Sequence, residues 1–474
     1  MSHQDTDVLT DSSPHHQALM QALDWLLESA SLSQLRFRGD CSWSPKPLIF
    51  VAILWAWSDQ KSLTKRFFHA RKIVMAMGIL ARIPATTYQA FMKLLTTWTV
   101  TLSAVLVDAF RQLMQSALAT RFNTYGFPVF GVDGSRIQLP RTESNEKRYS
   151  PTKARKKSRP KAKTRRRARS QAARKLRSRA KKVDSPQMWL TTLFHVATGL
   201  PWDWRLGPSD SSERGHLLQM IGTLAHNALI TADAGFVGYD TWKAILDSGR
   251  HFLIRVGGNV RLLKNLGYVE EKEGLVYLWP RREAKKQLPP LVLRMVVARG
   301  AKNPVYLVTS ILDEKMLSDD QVVKIYALRW RIEVFYRHFK QTFERRKLRS
   351  HTAANAELEA TWSLLGLWAM MLHAQVILME NKVPAKKISV ANVLLSYREA
   401  MREYRSIPDP GESLIELIGE AVVDSYTRKD KRSRDYPRKK QEKAAGAPKV
   451  KNATKKQVDA ARRLRDKKAL GLTA

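Results

Sequence analysis

The stretch FPVFGVDGSRIQLP, residues 127–140, decides the fold. It is rich in Phe, Val and Ile, and a glycine follows Asp133, which predicts a strand with an acidic residue near its end. ALITADAGF, residues 228–236, repeats the pattern, with a short apolar run, then Asp233, then a turn. Both carboxylates are therefore expected where the sheet holds them rigidly and their oxygens can face a cleft.

The segments between these two aspartates extend the sheet. Residues 188–197 and 202–207 are short apolar runs typical of strands, and a helix is predicted from about residue 213 to 227. An order of three strands, a helix and a further strand predicts a mixed α/β sheet. A long basic segment interrupts this order after the first strand, at a position where a loop tolerates an insertion.

The rest of the chain is predicted to be helical at both ends and β-rich between them. Apolar residues recur at helical spacing from residue 15 to about 122, and short strands are expected within 251–312. Helices return after Ser318 and continue to about Val423, with one break at 408–411. A basic cluster in the N-terminal helices indicates either a solvated face or a DNA-reading surface; it comprises Lys61, Lys65, Arg66, Arg71 and Lys72.

Two segments carry most of the positive charge of this 474-residue chain. Lys and Arg number 82 against 43 Asp and Glu, a formal net charge of +39. Residues 151–182 contain 17 Lys and Arg and no acid, and the tail 428–468 contains 18 against 5 acids. Such dense like charge with few apolar residues predicts disorder without a partner. We expect that partner to be the phosphate backbone of nucleic acid rather than an acidic membrane surface.

The apolar runs and the cysteine count narrow the class of protein. Cys41 is the only cysteine, which excludes an intramolecular disulfide or a cysteine-based zinc site and fits a reducing compartment. The N-terminus has neither the basic nor the apolar region of a signal peptide. The run 361–379 is long enough to span a bilayer, but it contains His373 and Gln375, so we predict a buried core helix.

Carboxylates at strand ends suit two different roles. Fixed oxygen ligands hold hard cations such as Mg²⁺. Aspartates at such positions also commonly cap the following turn or helix. Taken singly, Asp133 and Asp233 leave both alternatives open.

A third acid lies on a helix predicted over 324–343. Four residues of this helix share one stripe roughly 60° wide at 100° per residue; they are Tyr326, Arg329, Glu333 and Lys340. The opposite side is apolar and should pack on the sheet; it carries Leu328, Ile332, Phe335 and Phe339. An acid flanked by cations suits a metal ligand beside a phosphate backbone, and a simple Glu333–Arg337 pair on an exposed face is the alternative.

These motifs together resemble a known family. Tyr326, two residues, Arg329, three residues, Glu333, six residues and Lys340 resemble the YREK signature of DDE transposases of bacterial insertion sequences, in the group named for insertion sequence four. The DGS that begins at Asp133 and the DAGF that begins at Asp233 resemble that family's first and second Asp motifs. DWRLGPSDSSERGHL, residues 203–217, is similar to the segment before the second Asp. The resemblance extends from about residue 125 to 345, and the long basic segment departs from it.

The resemblance implies a fold, an activity and partners. It implies a ribonuclease-H-like mixed α/β sheet flanked by helices, with Asp133, Asp233 and Glu333 as a catalytic triad that holds two Mg²⁺ (or Mn²⁺) ions. Tyr326, Arg329 and Lys340 would contact DNA near the scissile phosphate. The implied reaction is cleavage at transposon ends followed by strand transfer into target DNA. A homodimer that bridges two terminal inverted repeats is expected, in the cytoplasm and associated with the nucleoid.

The same resemblance suggests the domain organisation. We expect a helical, DNA-end-binding domain at 1–125 and a catalytic core at 126–237 plus 313–382, with a basic disordered insertion at 151–186. A β-rich insertion domain is expected at 238–312, a helical region that helps dimerisation at 383–427, and a basic tail at 428–474.

Trp330 and three histidines have open roles. Trp330 lies beside the polar stripe and would either receive a flipped base, as in related transposases that form hairpin ends, or belong to the core. We predict structural roles for His195 and His338. Glu213 and His216 precede the second Asp strand and are candidates to support the acidic site without reacting themselves.

Other functions explain less of the sequence. A catalytically inactive or domesticated DNA-binding protein has no need of three placed acids. An RNA-binding protein would account for the basic segments alone. Another ribonuclease-H-like nuclease or a junction resolvase would share the core without needing the YREK stripe.

Overall fold

The structure of the protein is a computed structural model, and it describes residues 14–37, 41–79, 87–150, 185–299, 303–402, 413–423 and 446–469. The predicted basic insertion therefore lies outside the described residues, apart from its last two positions. The predicted break at 408–411 and the first part of the tail, to residue 445, also lie outside them.

Helices dominate both ends of the described chain. The N-terminal helices are α1 (Pro14–Leu27), α2 (Pro45–Trp57), α3 (Leu63–Ala76) and α4 (Tyr88–Ala117). Shorter helices accompany the sheet: α5 (Glu143–Tyr149), α6 (Glu213–Met220), α7 (Tyr239–Asp247) and α8 (Arg281–Lys285). The C-terminal helices are α9 (Asp319–Leu328), α10 (Trp330–Arg337), α11 (Ala353–Glu380), α12 (Val390–Arg402), α13 (Leu414–Gly419) and α14 (Lys455–Ala469).

One mixed sheet runs through the molecule. Its strands are β1 (Asn123–Thr124), β2 (Phe127–Gln138), β3 (Gln187–His195), β4 (Leu200–Gly207), β5 (Leu229–Ala232), β6 (His251–Val256), β7 (Arg261–Lys264), β8 (Leu275–Leu278), β9 (Leu291–Ala298), β10 (Val305–Thr309) and β11 (Lys449–Asn452). The order across the sheet is β11-β7-β8-β9-β10-β6-β5-β2-β3-β4, with β1 paired to β2.

The half of the sheet from β4 to β6 combines antiparallel and parallel pairing. The strands β2, β3 and β4 form an antiparallel meander, and β5 and β6 add to the other side of β2 in parallel. The connection from β4 to β5 contains α6, which lets the chain return in the parallel sense. The mixed α/β sheet flanked by helices that the sequence predicts is therefore confirmed.

Two apolar helices form the centre of the helical part. Every residue of α2 from Pro47 to Trp57 is buried, because the helix is apolar on all sides and neighbours surround it. The indole Nε1 of Trp57 donates to the carbonyl of Gly366 in α11, at 2.8 Å. A Cβ at Gly366 would lie 3.1 Å from the Ala56 side chain, so this glycine allows the two helices their close approach.

Two helices are long and apolar enough to cross a membrane by length and composition. Most of the apolar stretch of α11 is buried inside the protein, as predicted for a core helix over 361–379. In α4 a third of the apolar stretch is buried, on the side that packs against α11. Such helices are weak evidence for a membrane, because core helices of soluble proteins have the same composition.

The basic cluster of the N-terminal helices is divided by burial. The side chains of Lys61, Lys65 and Lys72 are exposed, whereas Arg66 is only 1% exposed. Its Nε donates to the carbonyl of Gln60 at 2.8 Å, and its guanidinium lies near Glu344. Arg66 is therefore a structural residue, and only the other members of the cluster can face a ligand.

The β-rich insertion begins later in the chain than we expected. Strand β6 lies within the insertion expected at 238–312, but it pairs in parallel with β5 and so continues the core sheet. The strands added to this part of the sheet follow Val256. Strand β10 returns antiparallel to β6 and so joins the added strands to the core.

The end of the basic tail is ordered, contrary to the expected disorder of 428–468. Strand β11 pairs in parallel with β7, and α14 follows it. High charge suggested disorder, but Ala461 and Leu464 lie on one side of α14 and are buried. A narrow apolar face was enough to dock the helix on a second small core.

Candidate active site

Strands β2 and β5 bring the two aspartates to the same edge of the sheet. Gly131 of β2 is paired in parallel with Thr231 of β5. Asp133 and Asp233 each lie two residues further along, so they are neighbours where the strands diverge. Asp133 is half-buried, and its Oδ1 accepts from the amide of Gly134 at 2.9 Å.

Asp233 also caps a short helix, as one of the two alternatives predicted. Its Oδ1 accepts from the amide of Gly235 at 2.7 Å and begins the 3₁₀ turn Ala234–Phe236. The cap orients the carboxylate and leaves Oδ2 free of this contact. Capping and a role in an acidic site are therefore compatible at this position.

Glu333 is presented to the aspartates by α10. The apolar side of this helix packs as predicted, with Ile332 and Phe335 buried and the Phe335 ring 5.3 Å from that of Phe194 in β3. The hydroxyl of Tyr336 donates to the backbone oxygen of Asp133 at 2.7 Å. These contacts fix α10 directly against the part of β2 that carries Asp133.

The predicted helix over 324–343 is not a continuous α-helix. It is divided into α9 and α10 at Arg329 and widens into a π turn at His338–Thr342. Such π turns frequently occur at functional sites. Lys340 lies in this turn, and its Nζ donates to the Ser135 hydroxyl at 2.6 Å. The widened turn thus places an ammonium group beside Ser135, which is two residues after Asp133.

Arg329 lies between the acids and the tyrosine of the polar stripe. Its Nη2 lies 3.0 Å from Glu333 Oε1, and its guanidinium lies 5.7 Å from the centre of the Tyr326 ring. Glu333 therefore pairs with Arg329 four residues earlier, rather than with Arg337 as the alternative proposed. All four residues of the stripe lie on the same side as Asp133.

The electrostatics show that negative charge is concentrated here. The pKa of Asp133 is raised to about 6, chiefly by burial; the charges of Asp233 and Glu333 contribute to this shift, and the Gly134 amide and Arg329 oppose it. A bound cation would stabilise the ionised form of Asp133 and offset the negative charge around it.

A fourth carboxylate joins the site from α6. Burial raises the pKa of Glu213 to about 7, with Asp133 and Asp233 adding to the shift and Arg136 and Arg214 opposing it. Its carboxylate occupies the space beside Gly134 that a side chain there would need. The only signal in the sequence was its place just before the second Asp strand. Ser135 and Tyr336 gave no signal, because both contacts join segments about 200 residues apart.

The donor set fits hard divalent cations. Within the described ranges, no three acidic, histidine or cysteine side chains converge closely enough to surround a single ion. The side-chain pairings explain this spacing, since Glu333 is bound to Arg329 and Asp233 to Gly235. Mg²⁺ needs only one or two protein carboxylates and takes its remaining oxygens from water and phosphate. Asp133 interacts electrostatically with both Asp233 and Glu333, so it could contribute to two such ions.

A basic cavity adjoins Glu333. It has a volume of about 390 Å³, and it is lined by Arg136, Gln138, Gln187, Glu333, Tyr336, Arg337, Lys340, Gln341 and Arg346. Four cationic side chains beside one acid suit an anionic ligand that reaches the carboxylates.

Trp330 is exposed and belongs to another surface. It is 62% exposed, which excludes the core role that was the alternative. It lines a separate cavity of about 440 Å³ on the other side of α10, together with Val334, Arg337 and Lys386. The structure therefore does not bring Trp330 into the acidic cluster.

The histidines near the site have protein partners. His195 is buried, with Nε2 2.8 Å from the Phe122 carbonyl and Nδ1 2.9 Å from the Thr198 hydroxyl. His216 contacts the Thr191 hydroxyl on β3. His338 contacts Thr342 within the π turn, which supports the structural roles predicted for His195 and His338.

Comparison with known proteins shows the family of the chain. Residues 125–369 match the family described as "Transposase DDE domain". The transposase InsG for insertion sequence element IS4 of Escherichia coli (strain K12) is 25% identical over 206 residues, 41% of this chain and 46% of the relative. The chain thus spans about half the length of this curated relative.

A solved structure is also similar over much of the chain. The piggyBac transposase synaptic complex with hairpin DNA matches 88% of each chain at 10% identity, with a TM-score of 0.38. The family match contains Asp133, Asp233 and Glu333 and covers more than half of the residues. The chain belongs to the family of DDE-domain transposases.

Proposed function

We propose that the protein cleaves DNA strands at transposon ends and joins the freed 3′ ends to target DNA. One observation carries the proposal: Asp133 and Asp233 lie on or just after neighbouring parallel strands, and burial, together with the charges of Asp233 and Glu333, raises the pKa of Asp133 to about 6. Such a site gains most from divalent cations and is otherwise costly to fold.

Two Mg²⁺ or Mn²⁺ ions are the cofactors that we propose. Asp133 would contribute to both, with Asp233 on one side and Glu333 on the other. When bound, such a pair supplies Lewis-acid stabilisation of the attacking and leaving oxygens of an in-line displacement. Release of Glu333 from Arg329 would free its oxygens for this role, and the guanidinium would then be available to a phosphate.

The cationic side chains would position the DNA. Lys340 is held by Ser135 beside Asp133, and Arg136, Arg337 and Arg346 line the same cavity as Glu333. Contacts from these groups would fix the phosphate backbone without reading bases. Tyr326 supports Arg329 through its ring. The exposed lysines of the N-terminal basic cluster would add contacts further along the DNA.

This activity leads to further proposals on the pairing of two copies, on location and on Trp330. We propose that two copies pair two transposon ends, with residues 383–427 helping the pairing, and that the protein acts in the cytoplasm on nucleoid DNA. Trp330 would stack on a base flipped out of the duplex, since its ring is exposed at the start of α10. If only nicked, uncapped ends form with the wild-type protein, the hairpin route and this role of Trp330 are wrong.

The test uses the purified full chain and duplexes carrying the inverted repeats that flank its gene. We expect strand cleavage at the repeat ends with Mg²⁺, and loss of at least 10³-fold with Asp233→Asn while DNA binding is retained. Asp240→Asn is the matched control, because Asp240 is an exposed aspartate on α7. Cleavage by Asp233→Asn at the wild-type rate would overturn the proposal. Binding without cleavage by the wild type would favour an inactive DNA-binding protein.

A further inference from the structure

The C-terminal segment 446–469 is built into the sheet at the edge opposite to β4. Strand β11 extends the added strands by pairing with β7, so that Lys449 lies opposite Arg261. Backbone hydrogen bonds from Lys449 to Val260 and from Ala453 to Lys264 close both ends of the pair, each at 2.9 Å. We call residues 257–298 together with 446–469 the insertion lobe.

A small core of its own holds α14 on this lobe. Ala461 and Leu464 of α14 pack on a cluster separate from the main core; the cluster also contains Leu266, Tyr268, Leu275, Tyr277 and Trp279. Arg465 adds a hydrogen bond to the carbonyl of Gly267 at 3.3 Å. Without α14 these aromatic side chains would face solvent, so the helix is a fixed part of the lobe.

The outer side of α14 is basic and open. Residues 446–469 contain nine Lys and Arg against two Asp, whereas residues 257–294 contain eight against four Glu. Lys455, Lys456 and Arg463 are exposed on the side away from the small core. Among the residues that the structure describes, these three cations have no carboxylate within ion-pair distance. Unpaired cations on a rigid helix suit a polyanion.

The position of α14 suits duplex DNA that reaches the active site. Seven steps of the sheet separate β11 from β2, which carries Asp133. At ~4.8 Å per strand the separation is roughly 34 Å before twist shortens it. One turn of B-form DNA is about 34 Å long. A duplex that lies across the strands, with one phosphate near Asp133, would therefore present the same side of its backbone to α14 one helical turn further along.

We propose that α14 and β11 form a rigid second contact for the phosphate backbone of the transposon end, about one helical turn from the cleaved phosphate. This inference rests on the proposed function for the identity of the DNA. The contact itself requires neither metal nor catalysis, so it is tested separately.

The first experiment measures DNA binding by the full chain at several salt concentrations in EDTA. We expect the triple variant Lys455→Glu, Lys456→Glu, Arg463→Glu to bind an end-containing duplex roughly tenfold or more weakly, with a salt slope reduced by about 2–3. The triple variant Lys455→Arg, Lys456→Arg, Arg463→Lys keeps the charge and should bind as the wild type does. Equal thermal unfolding of both variants excludes misfolding.

The second experiment maps the contact. An iron chelate attached to Asp459→Cys, in a Cys41→Ser background, should cleave the duplex roughly ten base pairs from the transposon terminus. Wild-type affinity of the charge-reversed variant, or cleavage scattered along the duplex, would overturn the proposal. If the charge-reversed variant loses binding to single-stranded RNA to the same extent, duplex DNA is not the specific partner of this surface. If the wild type fails to cleave ends but both results hold, only the proposed catalytic function fails.

Discussion

Gly134 lies where the side chains of the acidic site are most crowded. It follows Asp133 directly, and a Cβ at this position would collide with the carboxylate of Glu213 and lie 2.7 Å from the Trp189 indole nitrogen. The glycine of the DGS motif therefore provides space for a fourth carboxylate, in addition to ending the apolar run. The sequence predicts a turn at this glycine, but β2 continues through Gly134 to Gln138. The space could not be predicted, because its nearest neighbour comes from a helix 79 residues later.

We expect Gly134→Ala to displace Glu213 and move Asp133. Overpacking of this kind costs about 1–3 kcal/mol of unfolding free energy, and metal-dependent cleavage should fall at least tenfold. Gly222→Ala is the matched control, because a Cβ at Gly222 meets nothing within 4 Å. Cleavage rates and thermal melting of the two variants give the comparison. Identical behaviour of both would show that the space beside Gly134 is unimportant.

His195 makes the stability of the protein sensitive to acid. Burial lowers its pKa to about 3, from an ordinary value of 6.5, although the hydrogen bond to the Phe122 carbonyl opposes this shift. The unfolded chain then takes up a proton that the folded chain excludes. Stability from this residue is therefore complete above pH 6.5 and is lost as the pH falls towards 3, by up to about 1.4 kcal/mol per pH unit.

The variant His195→Gln should separate this effect from others. We expect a lower melting temperature at pH 7.5, because the contacts to Phe122 and Thr198 are disturbed, but a shallower fall between pH 6.5 and 4.5. His373 has a pKa lowered to about 4 by burial and should account for part of the remaining slope. An unchanged pH dependence in the variant would contradict the assignment.

The helix that carries Glu333 shows what a periodicity can and cannot predict. The apolar stripe depends on local spacing, and its docking through Ile332 and Phe335 is as expected. The division at Arg329 and the π turn around Lys340 arise from contacts with distant segments, such as Lys340 with Ser135. A calculation with a uniform 100° per residue therefore identified the residues of the stripe but missed the path of the backbone.

The segment after the π turn is fastened to the N-terminal helices by arginines. Arg345 is buried; its guanidinium donates to the Ser363 hydroxyl at 2.6 Å and to the carbonyl of Ala56 at 3.1 Å. Arg349 donates to the carbonyl of Lys61. The element that presents Glu333 is thereby joined to the helices that carry the N-terminal basic cluster. Sequence periodicity gives no sign of such a link.

We expect Arg345→Lys to destabilise the protein by about 2–3 kcal/mol, because an ammonium group cannot replace the fork of guanidinium donors in a buried site. Arg141→Lys serves as control, since the Arg141–Glu146 pair is exposed and should change stability by less than about 0.5 kcal/mol. Chemical denaturation of the two variants measures the difference. Equal stability would mean that the buried arginine does not join the two regions.

At the scale of the whole molecule, charge proved a poor guide to order. The two basic segments looked alike in composition, yet the C-terminal one ends in a strand and a helix that complete the insertion lobe. Composition is an average over many residues. The docking of α14 depends instead on two apolar residues, Ala461 and Leu464, which pack on an aromatic cluster from another part of the chain. The core sheet was predictable because its short apolar runs are placed between clear turns.

Removal of residues 446–474 should therefore loosen one region and spare the other. The truncated chain exposes Tyr277 and Trp279 and loses the strand that covers β7, so we expect faster hydrogen exchange in β7 and β8. Exchange in β2, β3 and β5 should stay slow, because these strands belong to the separate main core. Leu464→Ala, with a smaller cavity cost, should show the same pattern more weakly. Unchanged exchange in β7 and β8 would mean that the lobe is stable without its C-terminal strand, whereas faster exchange throughout would make the lobe and the catalytic core a single cooperative unit.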